Sequence, residues 1–245
     1  PHGALSSKYY FSKVTNSWRR LFVYTPPGYD VNTKAKYPVV YIQHGGGEDE
    51  RGWSVQGKTD IILDNLIAQS KALPMIVVIA NVSSGRGGYS NEAMAAFKQE
   101  MTQNIVPFID KNYRTLADVK NRALCGLSMG GGQAFYVGLA SLDVFSSVGI
   151  FSSGIFGGIA NPNGKAFDAD KEIPGLLSNS KAFNQKLKLL YISVGEQDPR
   201  FEFTKTSVAK FRESGLKVEF ASFPGDHEWQ VWRKSLHDFA QRVFK

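Results

Sequence analysis

The 245-residue sequence has a single cysteine, Cys125, so it can close no internal disulfide and build no cysteine cluster for zinc. That one thiol says little about compartment. No apolar run approaches the roughly 20 residues that a membrane-spanning helix needs; the longest, such as residues 75–80, are strand-sized. No charged-then-apolar leader follows Pro1, so a signal peptide is expected either to have been removed already or to belong to a longer chain. Blocks of like charge are missing too. The 29 Lys and Arg against 22 Asp and Glu give a net charge of +7, yet the longest basic run is Arg19-Arg20. Cations scattered in this way read as a solvated surface rather than a face for nucleic acid. Internal repeats and low-complexity tracts are also absent.

What is there is ordinary for a globular chain: 42% apolar and 21% charged residues, enough to bury a core. With no internal linker, residues 1–245 are expected to form one domain. Short β-branched and aromatic runs recur at residues 20–25, 38–43, 75–80, 122–127, 147–152, 187–194 and 217–222 and are the candidate strands. Between them lie apolar residues at helical spacing: Ile62-Leu66, Phe97-Met101-Ile105, Val208-Phe211 ahead of a C-capping Gly215, and Trp232-Leu236-Phe239-Val243. Strand and helix alternate, and several strands are apolar almost throughout. This predicts an α/β fold with a mostly parallel central sheet covered by helices on both faces. Residues 153–183 break the rhythm with Gly154, Gly157, Gly158, Pro162, Gly164, Pro174 and Gly175. They are expected to form a long surface excursion, either a substrate-side wall or a plain insertion.

The sharpest motif is Gly126-Leu127-Ser128-Met129-Gly130, which follows the candidate strand at 122–127 and precedes the small-residue helix pattern beginning at Gly131. A serine on a sharp strand-to-helix turn projects its Oγ from the sheet, and flanking glycines are required because larger side chains would collide there. The pentapeptide alone is common by chance, and the surrounding order of strand, turn and helix is what makes Ser128 a candidate nucleophile.

A serine hydroxyl needs a general base, and the chain offers only His2, His44, His227 and His237. His2 sits in a terminal tail and His237 on the exposed side of the last helix pattern. His227, in Pro224-Gly225-Asp226-His227-Glu228-Trp229, lies on a loop late in the chain between a strand and the final helix, where such a base belongs. The orienting carboxylate is expected between serine and histidine, and Gly195-Glu196-Gln197-Asp198-Pro199 supplies Asp198 at the end of a strand. Glu196 and Asp226 are the competitors. His44 opens Gly45-Gly46-Gly47 and reads as a residue that shapes the loop; Gly46 N–H, with that of Met129, is the candidate oxyanion donor.

Taken together, residues 23–29, 37–47, 126–131 and 224–233 make nearly the whole chain resemble carbohydrate esterase family 1, the feruloyl and acetylxylan esterases related to esterase D. The resemblance implies an α/β-hydrolase fold, a Ser128-His227-Asp198 triad, oxyanion donors at Gly46 and Met129, and neither metal nor cofactor. It further implies feruloyl esters on arabinoxylan as substrate, no membrane partner, and secretion or a periplasmic location. The opening Pro1-His2-Gly3 resembles the junction after a carbohydrate-binding or immunoglobulin-like domain, implying an additional domain in a longer protein. Trp53, just past the glycine loop, and Trp229, two residues after His227, are the aromatics expected at the acyl pocket. Two alternatives stay open: an acetylxylan or other small-acyl esterase, and a non-catalytic carbohydrate-binding protein on a hydrolase fold.

Overall fold

Apolar runs of this length cannot stay solvated, and they pair side by side at the centre of the molecule. The structure, a computed structural model, describes residues 1–82, 89–157 and 167–245. Its strands are β1 (Ala4–Ser12), β2 (Ser17–Thr25), β3 (Val39–Gln43), β4 (Ile76–Ala80), β5 (Arg122–Leu127), β6 (Ser147–Phe151), β7 (Leu189–Gly195) and β8 (Glu219–Phe223). They form one sheet in the order β1-β2-β4-β3-β5-β6-β7-β8. β2 runs antiparallel to both β1 and β4, and every other pair is parallel. The central strands β3, β4, β5 and β6 are buried almost end to end, as a sheet covered on both faces requires.

The helices are α1 (Thr59–Ala68), α2 (Asn91–Gln99), α3 (Val106–Asn112), α4 (Met129–Gln133), α5 (Ala169–Glu172), α6 (Ser180–Lys186), α7 (Phe201–Glu213) and α8 (Trp229–Ala240). Wider π-type turns at Glu100–Ile105 join α2 to α3, and others at Ala134–Gly138 extend α4. Two apolar layers result. One packs Tyr41, Val78, Phe97, Phe135 and Phe211 under α2, α4 and α7; the other packs Ile42, Trp53, Leu63, Phe151 and Phe239 under α1 and α8. With this strand order and connectivity, the sheet is that of an α/β hydrolase. No helix among the described residues is long and apolar enough to cross a membrane.

Two expectations need correcting. β1 was absent from the candidate strands because its sequence, Ala-Leu-Ser-Ser-Lys-Tyr-Tyr-Phe-Ser, is half polar; it is an edge strand whose outer face stays wet. The 153–183 stretch is no simple surface excursion either. Phe156, Ala169, Ile173 and Leu176 are all buried, and Phe156 packs edge-on against Phe135, Phe167 and Phe211 at 5.2–6.1 Å between ring centres. Glycine and proline there hid apolar residues whose spacing follows no single period. Residues 158–166, with Gly158, Pro162 and Gly164, lie outside the described residues.

Candidate active site

β5 ends at Leu127, and the chain turns so tightly into α4 that Ser128 adopts φ 51° and ψ −112°, a region costly for any residue with a Cβ. The turn is held from both sides. Ser128 N–H donates to the Phe151 carbonyl on β6 at 2.8 Å, and Gly132 N–H returns to the Ser128 carbonyl at 3.2 Å. The flanking glycines answer to close approach: a Cβ on Gly126 would sit 2.5 Å from the Gly130 backbone, and one on Gly130 would sit 2.5 Å from the His44 carbonyl oxygen. The elbow thus packs directly on the loop that follows β3.

Two other loops converge on Ser128. The loop after β7 carries Asp198 and the loop after β8 carries His227; Glu196 N–H donates to the Phe223 carbonyl at 2.9 Å and Gln197 N–H to the Gly225 carbonyl at 3.0 Å, joining the two. Asp198 is 3% exposed. Its Oδ2 lies 2.8 Å from His227 Nδ1, and His227 Nε2 lies 2.9 Å from Ser128 Oγ. An ionised carboxylate only accepts, so the imidazole proton belongs on Nδ1, leaving Nε2 bare to accept from the serine hydroxyl. Burial alone would raise the Asp198 pKa, but bonds from His227 and from the Arg200 backbone and side chain outweigh it and hold the carboxyl below its usual range. The imidazole is braced edge-on against Trp232, ring centres 5.0 Å apart.

The structure therefore brings Ser128, His227 and Asp198 into one chain of contacts. Glu196 and Asp226 are turned elsewhere: Glu196 Oε1 accepts from Ser222 Oγ at 3.1 Å, and Asp226 Oδ1 accepts from the His227 backbone at 2.7 Å. In the glycine loop, His44 Nδ1–H donates to the Gly45 carbonyl at 2.8 Å, while Gly45 N–H is taken up by Glu48 Oε2 at 3.0 Å. A Cβ on Gly45 would lie 3.6 Å from Ser128 Cβ, so this loop borders Ser128 directly. Among the described residues, Gly46 N–H has no hydrogen-bond acceptor. Met129 is the first residue of α4, directly after Ser128.

Trp53 is not at an acyl pocket. It is 0% exposed, its indole N–H donates to the Gln43 carbonyl at 3.0 Å, and its ring meets Phe151 edge-on, so it is a core residue supporting the glycine loop from below. Trp229 is half-buried, edge-on to both Trp53 and Trp232 with ring centres 5.2 Å apart in each case. Two residues escaped the sequence reading. Arg200 holds Asp198 Oδ1 with both its backbone N–H and its guanidinium, each at 3.0 Å. Tyr89 donates from its hydroxyl to the Met129 carbonyl at 3.1 Å, and burial pushes that phenol up to about 12, so it remains a neutral donor. The only signal for Arg200 was its place two residues after an aspartate, where an Asx turn forms; Tyr89 gave none.

A family model described as "Putative esterase" matches residues 12–242. The chain belongs to this esterase family. Among curated relatives, the esterase is 33% identical over its full length to an endo-1,4-beta-xylanase/feruloyl esterase of Xylanibacter ruminicola, covering 32% of that protein. It is 36% identical over 52% of its length to endo-1,4-beta-xylanase Y of Acetivibrio thermocellus, covering 12% of it. The chain thus spans a third or less of these relatives. Among solved structures it superposes on a ferulic acid esterase with TM-score 0.83 and 27% identity, covering 99% of both chains. A CE1 ferulic acid esterase from Anaeromyces mucronatus in complex with ferulic acid gives 0.78 and 25%, covering 100% of the esterase and 92% of that chain.

Proposed function

We propose that this esterase is a serine carboxylesterase that releases hydroxycinnamic acids such as ferulate from plant cell-wall arabinoxylan. The observation that carries it is the unbroken contact chain from Asp198 through His227 to Ser128, in a chain whose 27%-identical structural neighbour along its whole length is a ferulic acid esterase. Ser128 Oγ attacks the ester carbonyl as His227 Nε2 takes its proton. The amides of Gly46 and Met129 stabilise the oxyanion that forms. His227 then hands its proton to the departing sugar hydroxyl, leaving an acyl-serine, and water activated by the same imidazole releases the acid and regenerates Ser128. Asp198 keeps the imidazole in the required tautomer and stabilises its charged form throughout. Trp229 is the aromatic assigned to the acyl side of the cleft.

A polymer of the cell wall is met outside the cytoplasm, so secretion or a periplasmic location belongs to this reading. So does a larger protein in which residues 1–245 are one esterase domain beside carbohydrate-active ones, as the partial coverage of the relatives suggests. The test is ferulate release from methyl ferulate beside acetate release from 4-nitrophenyl acetate, each repeated with Ser128→Ala. Ferulate release that falls by about three orders of magnitude or more in the variant is the expected result. Acetate release alone would move the substrate to small acyl groups. Neither product would leave a hydrolase fold without hydrolysis.

A further inference from the structure

Three large aromatic side chains stand in water on one face of the β1–β2 hairpin. Trp18 is 70% exposed, Tyr9 60% and Phe11 45%. Phe11 and Trp18 are directly opposite in the strand register and meet edge-on at 5.8 Å, and Tyr9 is opposite Arg20. Side chains of this size leave a broad apolar surface unburied, which is unusual unless something covers it.

The register places one end of this face at the same edge of the sheet as the candidate active site, three strands from β5. β2 is antiparallel to β4, with Leu21 opposite Ala80, the last residue of β4. Trp18 and Arg20 therefore project past the carboxyl edge of the parallel strands, the edge at which Ser128 sits. In the strand order β2 is two strands from β3, whose end carries the glycine loop, a separation of about 10 Å. Arg20 crosses this gap and pairs with the buried Glu50 of that loop, and Arg19 reaches the Asn81 carbonyl after β4. Next to the pair, an open groove of about 560 Å³ is lined by Gly47, Asp49, Arg51, Val55 and Gln56, among others.

The chemistry of this surface suits a neutral, hydroxyl-rich ligand. Arg20 is matched by Glu50 and Arg51 by Asp49, while Glu48 in the lining accepts from Gly45 N–H, so the surface offers engaged polar groups rather than a patch of one charge. Exposed aromatic faces take the apolar C–H faces of sugar rings, and the paired guanidinium, carboxylate and amide groups accept and donate to hydroxyls. We propose that the Tyr9, Phe11 and Trp18 face and the groove beside the glycine loop form one track that binds the polysaccharide backbone of the substrate and presents its acyl-bearing sugar to Ser128. This deepens the feruloyl-esterase reading and rests on it for the identity of the polymer.

The test compares Trp18→Ala and the double variant Tyr9→Ala/Phe11→Ala with the parent protein on feruloylated arabinoxylan and on methyl ferulate, which has no sugar. The ratio of kcat/KM for polymer over methyl ferulate is expected to fall about tenfold, with Trp18→Phe restoring most of it. In parallel, Ser128→Ala is run through a native gel containing arabinoxylan; its retardation is expected to vanish when Trp18→Ala is added. Ferulate released with an unchanged ratio would overturn the track and leave the esterase reading standing. Retardation that depends on Trp18 in a protein that hydrolyses neither ester would uphold the track while the esterase reading fails. A parent protein that self-associates in sedimentation and becomes monomeric on Trp18→Ala would overturn the proposal in favour of a second copy on this face.

Discussion

Asp198 carries its charge in a nearly dry place because three donors meet it: His227 on one oxygen, and the backbone and side chain of Arg200 on the other. Replacing it by Asn keeps the shape but offers an N–H where an acceptor is required, so the imidazole is left in the wrong tautomer. The expected loss in kcat is about 10⁴-fold, measured on methyl ferulate with circular dichroism as the folding control. Arg200 acts through Asp198 and is a positioning residue. Aspartates in the unfolded chain titrate near 3.9, and the folded value lies lower. The stability this contributes is therefore complete above that pH and is lost as pH falls through the folded value. In Arg200→Ala the folded value rises toward the unfolded one, so this contribution shrinks: urea midpoints should lie below the parent's at pH 6 and fall less steeply between pH 6 and 3. Ser128 and His227 were legible from sequence because each sits in a local pattern with its own geometric reason. Trp53 was misread since adjacency to a functional loop does not say whether a ring lies over it or under it.

The elbow works as an element only if β5, α4 and the glycine loop can touch. Gly130→Ala drives a Cβ to 2.5 Å from the His44 carbonyl oxygen, a backbone atom that cannot swing aside. Esterase activity should fall by at least tenfold, because the loop carrying Gly46 is pushed away from Ser128. A thermal melt beside the assay shows whether the protein has also been destabilised. The central strands were readable because burial on both faces leaves an apolar run with little else in it. β1 was not, since an edge strand owes its place to pairing with β2 rather than to its own composition. The same holds for the segment around Phe156, whose burial depends on Phe135 and Phe211 arriving from other parts of the chain to join Phe167 of the same stretch. Phe156→Ala empties the middle of that cluster and should cost about 3–5 kcal/mol in urea unfolding.

At the scale of the molecule, the sheet order decides where the chemistry falls. Parallel strands send all their carboxyl ends to one edge, and β3, β5, β7 and β8 each deliver one loop there, carrying the glycine run, Ser128, Asp198 and His227 in turn. Deleting the first 12 residues would leave that edge in place but bare the outer side of β2, a hydrogen-bonding row with no partner. Aggregation on concentration, followed by light scattering, is the expected result. One further consequence follows from the backbone of Ser128. Its conformation is one that glycine tolerates and serine resists, at a cost of about 1–3 kcal/mol. The residue proposed as the nucleophile is thus also a weak point in the architecture. Ser128→Gly should give an inert protein that melts a few degrees above the active one, and selection for heat resistance alone would drift toward discarding the nucleophile.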